Sequence, residues 1–388
     1  MKNLVIFGLL FLASCSKTNI DRPVASLEQG EKQSCDFGLT SFNLIKRAPV
    51  NSVNDDAFRR KPPTGGGTTT PPPPSGTAVL YLDFDGQLVS GTSWNSTGDI
   101  NCASANLTAD AMNQIVQRVI NDFSPFNVVV TRDEALFNAA TSKKMRVIIT
   151  ESWEWFGQAG GTSFLNTFTA GSTTPCFVFS SLLNYNTKNI SEAVSHESGH
   201  TIGLYHQSSY SNSIKTAEYN AGVGMGEIGW APIMGNSYSK NLSLWHKGTS
   251  SIGASAIQDD VAVITNVLGN ITDDYSNSVA GAPALSSSMN AVINNSSDVD
   301  FFSVNLSAST TVTLTPFNVG LYNAGSNVDL ILRIYNSQGG LIATTDYIDI
   351  LNAATVLAPG TYYISVGTIS NLYTTTYGMV GKYSISLN

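Results

Sequence analysis

Charged side chains are scarce in this 388-residue sequence, where Asp, Glu, Lys and Arg together make up only 12% of the residues. The acidic residues outnumber the basic ones, 28 to 20, and Lys and Arg form no cluster. Nucleic-acid binding is therefore not expected, because neutralising phosphates requires a basic surface. Hydrophobic residues still make up 42%, enough to build cores, so we expect the chain to fold into more than one domain.

Long apolar runs are also lacking. The run at residues 4–12 is too short to span a bilayer core of about 30 Å and is typical of a signal peptide, here residues 1–14. It ends in Leu12-Ala13-Ser14-Cys15, which resembles the lipobox of bacterial lipoproteins. The resemblance implies lipidation of Cys15 and an outer-membrane lipoprotein with no transmembrane helix, facing the periplasm or the cell surface. An ordinary signal peptide with an incidental Cys15 is the alternative.

Cysteine is rare as well, with four in the whole chain. Cys102 and Cys176 fall in one predicted domain of an exported protein, so we expect them to form a disulfide. Cys35 is left over in residues 15–76, a low-complexity, proline-rich segment that we interpret as a lipid-anchored tether or pro-segment. We read Cys35 as incidental, with a pro-segment thiol that caps a metal as the alternative.

Residues 77–270 show the periodicities of an α+β domain, in the order β-α-β-β-β-β-α. Thr108 is the predicted N-cap of the first helix, and Asn189 with Glu192 predicts a capping box at the second. A further helix is expected over Ser255–Leu268. The predicted strands lie at residues 78–86, 127–131, 145–150, 160–165 and 176–179. A mixed sheet with helices packed against it should result.

Residues 271–388 differ in pattern from the domain before them. Short alternating runs, at 301–306, 310–315, 330–335 and 362–366, are separated by turn residues and carry no helical period. We expect a separate all-β domain, most simply a sandwich.

Histidine is the most informative scarce residue, because three of the four in the chain lie within His196–His206. His196 and His200 are one helical turn apart, the spacing that lets two imidazoles bind one Zn²⁺. Gly203 allows the helix to stop so that His206 can approach the same ion. Three His ligands leave a coordination position for water, and Glu197 can reach that water as a general base.

This segment resembles the zinc signature of the metzincin metallopeptidases. The resemblance implies a mixed, mostly parallel sheet with an active-site helix, and a Met-turn at Met234. It also implies a substrate-binding edge strand comprising Gly160, Gly161, Thr162, Ser163 and Phe164. Some members carry Tyr two residues after the Met, where this sequence has Asn236. Tyr238 is therefore a candidate oxyanion donor, with a place in the pocket wall as the alternative.

The terminal domain has a resemblance of its own. Residues 272–278, 297–303 and 358–364 are similar to the bacterial pre-peptidase C-terminal domain, a β-sandwich appended to secreted peptidases. The resemblance makes Ca²⁺ a second candidate cofactor, with Asp298, Asp300 and Asp329 as candidate ligands. Asp83 and Asp85 are interpreted as turn-forming residues, with Ca²⁺ binding as the alternative. His246 is interpreted as a surface or packing residue.

The sequence thus predicts a monomeric zinc endopeptidase that hydrolyses protein or peptide substrates and contacts the membrane only through its N-terminal lipid. Zinc-dependent hydrolysis of a non-peptide amide is a rival hypothesis. A lipid-anchored adhesin, or a glycan- or protein-binding lipoprotein with an inactive peptidase-like domain, is a rival from another class. Cleavage preference is not predicted, because it depends on the shape of loops between His206 and Met234.

Overall fold

The structure is a computed structural model that describes residues 32–35, 76–318 and 325–388. The predicted signal peptide, Cys15 and most of the predicted tether lie outside these residues. Within the described ranges, no helix combines the length and the apolar character needed to cross a membrane.

The first part of the chain alternates strands and helices and ends in a helix. Its strands are β1 (Lys32–Cys35), β2 (Ala78–Asp83), β3 (Gln87–Val89), β4 (Ile100–Cys102), β5 (Val128–Thr131), β6 (Lys144–Thr150), β7 (Gly161–Phe164), β8 (Cys176–Phe179), β9 (Ser209–Ser211), β10 (Ile214–Ala217), β11 (Trp230–Pro232), β12 (Leu242–Leu244), β13 (Lys247–Thr249) and β14 (Ile257–Asp259). Its helices are α1 (Ala109–Asp122), α2 (Glu134–Ala139), α3 (Thr187–Ile202) and α4 (Asp260–Leu268).

One six-stranded sheet organises this part, in the order β1-β7-β8-β6-β2-β5. Strands β5, β2, β6 and β8 are parallel, whereas β7 pairs antiparallel with β8, and β1 pairs antiparallel with β7. Strand β2, which lies between β6 and β5, is buried along its whole length, and α1 and α3 pack with it in the main hydrophobic core. The predicted mixed, mostly parallel sheet is confirmed.

The helix boundaries differ in detail from the sequence expectation. Thr108 caps α1 as predicted, accepting a hydrogen bond from the Ala111 amide. The predicted cap at Asn189 is wrong: α3 begins earlier, and the Asn186 side chain accepts from the Asn189 amide, so Asn189 is the capped residue. The last helix begins at Asp260 rather than Ser255, because Ile257–Asp259 forms strand β14 with β13.

The predicted disulfide between Cys102 and Cys176 is also wrong, since both cysteines are free and buried. Successive residues of β8 face opposite sides of the sheet. Cys176 lies in the main core with Val178, whereas Cys102 packs on the other side in a cluster that contains Phe177 and Phe179. Two thiols on opposite faces of a sheet cannot approach one another.

The last part of the chain is an antiparallel sandwich, as predicted. One sheet has the order β15-β22-β17-β20 and the other β16-β21-β18-β19. These strands are β15 (Ser288–Ile293), β16 (Asp300–Leu306), β17 (Thr310–Pro316), β18 (Leu330–Asn336), β19 (Leu341–Thr345), β20 (Ala353–Leu357), β21 (Gly360–Thr368) and β22 (Gly381–Leu387). Inward-facing residues of both sheets form a separate hydrophobic core.

The sandwich packs directly against the first part of the chain. Leu351 and Met379 of the sandwich share a small hydrophobic cluster with Trp230 and Leu244. The Trp230 indole also donates to the Tyr373 carbonyl oxygen at 2.7 Å. The strands β11 and β12, which flank the predicted Met-turn, are therefore covered by the terminal domain.

Candidate active site

The helix α3 carries the first two histidines and is buried along almost its whole length. It ends at Gly203, whose φ of +118° is a left-handed conformation that a residue with a Cβ adopts only with strain. The Gly203 amide donates back to the carbonyl oxygens of Gly199 and His200, which closes the last turn. The chain then leaves the helix and brings His206 back to it, as the spacing predicts.

The three predicted histidines converge. Their ring centroids are separated by 4.8 Å (His196–His200), 4.8 Å (His200–His206) and 5.3 Å (His196–His206), and all three residues are buried. One ligand nitrogen from each lies within 4.8 Å of the other two. Such a trio has the geometry of a three-histidine metal site.

The other ring nitrogen of each histidine is held by an acceptor. The Nδ1 atoms of His196 and His200 contact the carbonyl oxygens of Ile233 at 2.7 Å and Leu204 at 2.6 Å. His206 Nδ1 contacts Glu218 Oε1 at 2.7 Å. These partners accept hydrogen bonds, so each Nδ1 carries the proton and each Nε2 presents a lone pair.

The Nε2 atoms behave as metal ligands would. Those of His196 and His200 lie 3.1 Å apart, and two lone pairs cannot hydrogen-bond one another. His206 Nε2 is buried and has no hydrogen-bond partner among the described residues. A cation bound by all three would satisfy them at once, and neutral imidazole suits Zn²⁺. The residues present therefore fit the metal that the motif implies.

Burial keeps the helix histidines neutral. Desolvation, followed by the neighbouring His206, lowers the pKa of His196 to about 3. Desolvation, followed by the neighbouring His196 and His206, holds the pKa of His200 well below its usual value. Both imidazoles are therefore unprotonated near pH 7, the form that binds a metal.

Glu197 is fully buried and is held against strand β7. Its Oε2 accepts a hydrogen bond of 2.6 Å from Ser163 Oγ. Strand β7 comes so close that a Cβ at Gly161 would lie 2.7 Å from both Cγ and Oε1 of Glu197. Two residues of the predicted substrate strand thus fix the carboxylate beside the histidine cluster.

Met234, the predicted Met-turn residue, lies against helix α3 at Gly199. It is fully buried, and a Cβ at Gly199 would lie 2.5 Å from its sulfur. Its carbonyl oxygen accepts from the Gln207 amide at 2.8 Å, while the preceding Ile233 carbonyl holds His196. The Met-turn backbone therefore orients one histidine directly and the chain after His206 as well.

Two residues that the sequence did not single out border the cluster. Glu218 binds His206, and the ring centroid of Tyr219 lies 4.5 Å from that of His206 and 6.2 Å from that of His196. The following residue, Asn220, bonds through its backbone to Gln207 and Asn236, which ties this loop to the Met-turn. The loop lies between distant segments, so no local spacing could have indicated it.

The electrostatics of Glu218 suit its contact with His206. Burial works to raise the pKa of this carboxyl, but hydrogen bonds from His206 and Lys215 hold it at about 2. Lys215 Nζ lies 2.7 Å from Glu218 Oε2. Glu218 is therefore ionised and accepts from Nδ1, the arrangement that orients metal-binding histidines in other proteins.

Tyr238, the predicted oxyanion donor, is half-buried and packs its ring against the main hydrophobic core. A second tyrosine, Tyr219, has its ring in contact with that of His206. His246 is a packing residue, as interpreted, because its ring centroid lies 4.9 Å from that of Trp230. Burial lowers the pKa of His246 to about 4.

A buried polar network lies along α3 on the N-terminal side of the two histidines. Glu192 accepts from Lys188, Ser237 and Ser243. Asp122 accepts from Ser195 Oγ at 2.5 Å and from Asn327 Nδ2 at 3.0 Å. Because Asn327 belongs to the terminal domain, that domain is hydrogen-bonded through Asp122 to the helix that carries the histidines.

An acidic cluster occurs in the terminal domain. Carboxylate oxygens of Asp273, Asp274 and Asp300 lie within 4.8 Å of one another. The Oδ1 atoms of Asp298 and Asp300 are buried without a hydrogen-bond partner among the described residues. Burial, with Tyr383 opposing and the neighbouring carboxylates adding, raises the pKa of Asp300 to about 8. Burial also raises the pKa of Asp298, to about 6.

Two other predicted acidic positions resolve differently. Asp329 is outside the cluster; its Oδ2 accepts from Asn371 Nδ2 at 2.9 Å, and its buried Oδ1 has no hydrogen-bond partner among the described residues. Asp273 and Asp274 are further candidate ligands that the sequence analysis did not name. Asp83 accepts from the Asp85 amide at 3.3 Å and pairs with Arg146 at 3.5 Å, which fits the interpretation as a turn.

The comparisons with known proteins agree with this geometry. Residues 87–246 match the dual-action HEIGH metallo-peptidase family, although this chain has Ser198 at the third motif position. Residues 298–368 match the bacterial pre-peptidase C-terminal domain family. No curated protein matches the chain.

Two solved structures resemble part of the chain. One is the pre-peptidase C-terminal domain of a collagenase from Bacillus anthracis, with 12% identity, a TM-score of 0.20, and coverage of 31% of this chain and 99% of that one. The other is PliG of Aeromonas hydrophila, a periplasmic inhibitor of g-type lysozyme, with 14% identity, a TM-score of 0.18, and coverage of 28% and 95%. Residues 87–246 are thus similar to a metallo-peptidase family, and residues 298–368 are similar to the bacterial pre-peptidase C-terminal domain family.

Proposed function

We propose that the protein is a zinc-dependent endopeptidase, with Zn²⁺ held by the Nε2 atoms of His196, His200 and His206. The observation that carries this proposal is the arrangement of the ring nitrogens of these three histidines. Each Nδ1 has an acceptor, and the three Nε2 atoms converge in a buried space. When bound, zinc supplies Lewis-acid chemistry, polarising a carbonyl and making water acidic enough to attack near neutral pH.

Glu197 acts as the general base in this proposal. Its carboxylate takes a proton from the attacking water and returns it to the departing amine. Ser163 donates to Oε2 and so fixes the orientation of the carboxylate before substrate arrives. Glu218 and the Ile233 and Leu204 carbonyls hold the ligand rings in place.

The substrate is a protein or peptide in extended form. Strand β7 is not the outermost strand that the resemblance implies, because β1 pairs with it, so an extended substrate would take the place of β1. Its residues Gly161 and Ser163 contact Glu197. A strand edge binds extended chains through backbone hydrogen bonds, largely regardless of their sequence. This favours peptide-bond hydrolysis over hydrolysis of a small non-peptide amide.

A protein-digestion assay tests the proposal. Purified protein is incubated with casein, with and without a chelator, and the chelated sample is then supplied with zinc. We expect hydrolysis to stop on chelation and return with zinc. A zinc-loaded protein that leaves casein and a peptide library intact would instead favour the binding-protein hypothesis.

Two further parts of the proposal concern the ends of the chain. We place Ca²⁺ at Asp273, Asp274, Asp298 and Asp300, where buried carboxylate oxygens lack donors. We also propose that Cys15 is lipidated and anchors the protein to the outer membrane. Mass spectrometry of the native N-terminus tests the anchor: acyl chains are expected on Cys15 and absent from Cys15→Ser. An unmodified, soluble wild-type protein would contradict it.

A further inference from the structure

A polar cavity of about 300 Å³ lies on the side of the main sheet that faces away from α3. Strand β3, the end of α2, the first half of β6 and the loop before β8 form its walls. On β6, Met145 and Val147 belong to the main core with α3, so the alternating Lys144 and Arg146 point to the opposite side. The sheet therefore separates this cavity from the histidine cluster.

The size and the lining of the cavity suit one small, polar molecule. Ligand cavities in proteins begin at about 300 Å³, so the space admits a single small ligand. Much of the wall consists of hydroxyl and amide side chains, namely those of Gln87, Ser90, Asn138, Ser172 and Thr173. Such groups both donate and accept hydrogen bonds, which is what recognition of a molecule with several hydroxyls requires.

Two cations lie in the cavity, and they differ in their partners. Arg146 is paired with the carboxylates of Asp83 and Glu134. No carboxylate of the described residues forms an ion pair with Lys144. Its ammonium donates to the Phe137 carbonyl oxygen at 3.2 Å and lies 4.8 Å from the centroid of the Phe137 ring. An ammonium has three donors, so two remain for an anionic group of a ligand.

We propose that this cavity binds an acidic monosaccharide, with the carboxylate of the sugar on Lys144 and its hydroxyls on the polar wall. A neutral sugar would leave the charge of Lys144 without a partner, and a bare carboxylate would leave the hydroxyl and amide groups unused. Lys144 lies on β6, an inner strand of the main sheet, so a rigid element holds the cation in place. The proposal does not depend on the peptidase function.

Binding of three acidic sugars to the full chain tests the proposal. Glucuronate, galacturonate and N-acetylneuraminate are titrated separately and followed by saturation-transfer NMR. At least one of them should bind with a Kd on the order of 1 mM, the affinity expected for a ligand of this size. Glucose lacks the carboxylate and acetate lacks the hydroxyls, so each should bind at least about tenfold more weakly than that sugar.

Two neighbouring lysines provide a matched pair of variants. Lys144→Gln lacks the charge but can still donate to the Phe137 carbonyl oxygen, and its Kd for the sugar should rise about tenfold or more. Lys143→Gln removes the same charge from an exposed residue that is not part of the cavity wall, and it should bind as wild type does. A carboxylate bound to zinc at the histidines would respond to neither variant.

A variant on the other wall covers the case in which Lys144→Gln does not fold, as judged by its melting temperature. Asn138 is exposed and lines the cavity at the end of α2. Asn138→Ala should weaken binding of the sugar about threefold or more and leave acetate unchanged, because its amide contacts hydroxyls only. Equal sugar binding by Asn138→Ala and wild type would overturn the assignment of the polar wall.

The remaining outcomes are equally decisive. Saturable binding of an acidic sugar that requires Lys144 and not Lys143 supports the proposal. No saturable binding of any of the three acids below about 20 mM overturns it. Equal affinity in folded Lys144→Gln and Lys143→Gln also overturns it, because the ligand then lies elsewhere. Acetate that binds as tightly as the sugars overturns the saccharide assignment.

Discussion

The histidine cluster and the acidic cluster are both groups of ligating side chains, but the first is wholly buried, whereas the second combines the buried Asp300 with a half-buried Asp273 and an exposed Asp274. They also differ in their hydrogen-bond partners. In the first, every Nδ1 has an acceptor, and burial favours the neutral imidazole. In the second, oxygens of Asp298 and Asp300 lack donors, and burial raises the pKa of both carboxyls. Neutral rings can persist without an ion, whereas crowded carboxylates need a proton or a cation. We therefore expect zinc to determine activity and calcium to determine stability.

The largest expected effect comes from removing one histidine. His200→Ala should lose zinc and hydrolytic activity together, because two histidines leave the site incomplete, while the sandwich remains folded. Metal analysis after gel filtration measures the zinc content, and wild-type protein serves as the reference of about one zinc per chain. Full zinc occupancy in the variant would mean that the assigned ligand set is wrong.

The acidic cluster should respond to calcium rather than zinc. Because burial raises the pKa of Asp300 to about 8, the cation-free folded state binds more protons than the unfolded state between roughly pH 4 and 8. Its stability should therefore fall as the pH rises through that range. Calcium at a hundredfold excess over its Kd should add about 2.7 kcal/mol, with a larger gain at pH 8 than at pH 5.

Thermal unfolding with calcium, magnesium or chelator measures this effect. Asp300→Asn is the matched variant, since it keeps the size of the side chain but lacks its charge, and it should abolish the response. A wild-type melting temperature that is the same in calcium and chelator at pH 8 would rule out the calcium site.

A smaller effect is expected from the residue that orients His206. Glu218→Gln keeps a hydrogen-bond acceptor beside Nδ1 but lacks the charge, so zinc affinity should fall about 10- to 100-fold. Competition with a chromogenic chelator gives the affinity without any activity assay. Lys215→Ala tests whether the effect passes through Glu218, and it should change the affinity less. Unaltered affinity in Glu218→Gln would show that this contact is incidental.

The smallest effects should separate the two tyrosines. Tyr219→Ala removes the ring beside His206 and should lower hydrolysis a few-fold to about tenfold, with little change in the melting temperature. Tyr238→Ala should instead cost about 1–3 kcal/mol of stability while the folded enzyme stays active, because its ring packs in the core. The reverse pattern would restore Tyr238 as the functional tyrosine.

The sequence predicted those features that depend on local spacing. His196 and His200 share a helix face by periodicity, Gly203 ends that helix, and the strand at Cys176–Phe179 has its predicted limits. In each case residues within about ten positions determine the result, which is the range over which helix and turn geometry can be derived.

Features that depend on distant segments could not be predicted. Glu218 reaches His206 through a loop anchored to the Met-turn, and the acidic cluster combines Asp273 and Asp274 with Asp300 rather than Asp329. The disulfide prediction failed because it required knowing which face of the sheet each cysteine occupies. The pairing of Lys32–Cys35 with β7 had no signal, since four residues in a low-complexity segment carry no recognisable strand pattern.

The most direct test of the central claim is the Glu197→Gln variant, measured against wild type at matched zinc content. Glutamine keeps the shape of the side chain and can still accept from Ser163, but it cannot take a proton from water near pH 7. The account predicts wild-type zinc content and melting temperature, with peptide hydrolysis lowered by about 10²- to 10⁴-fold. Hydrolysis at the wild-type rate with full zinc occupancy would contradict the peptidase mechanism proposed here.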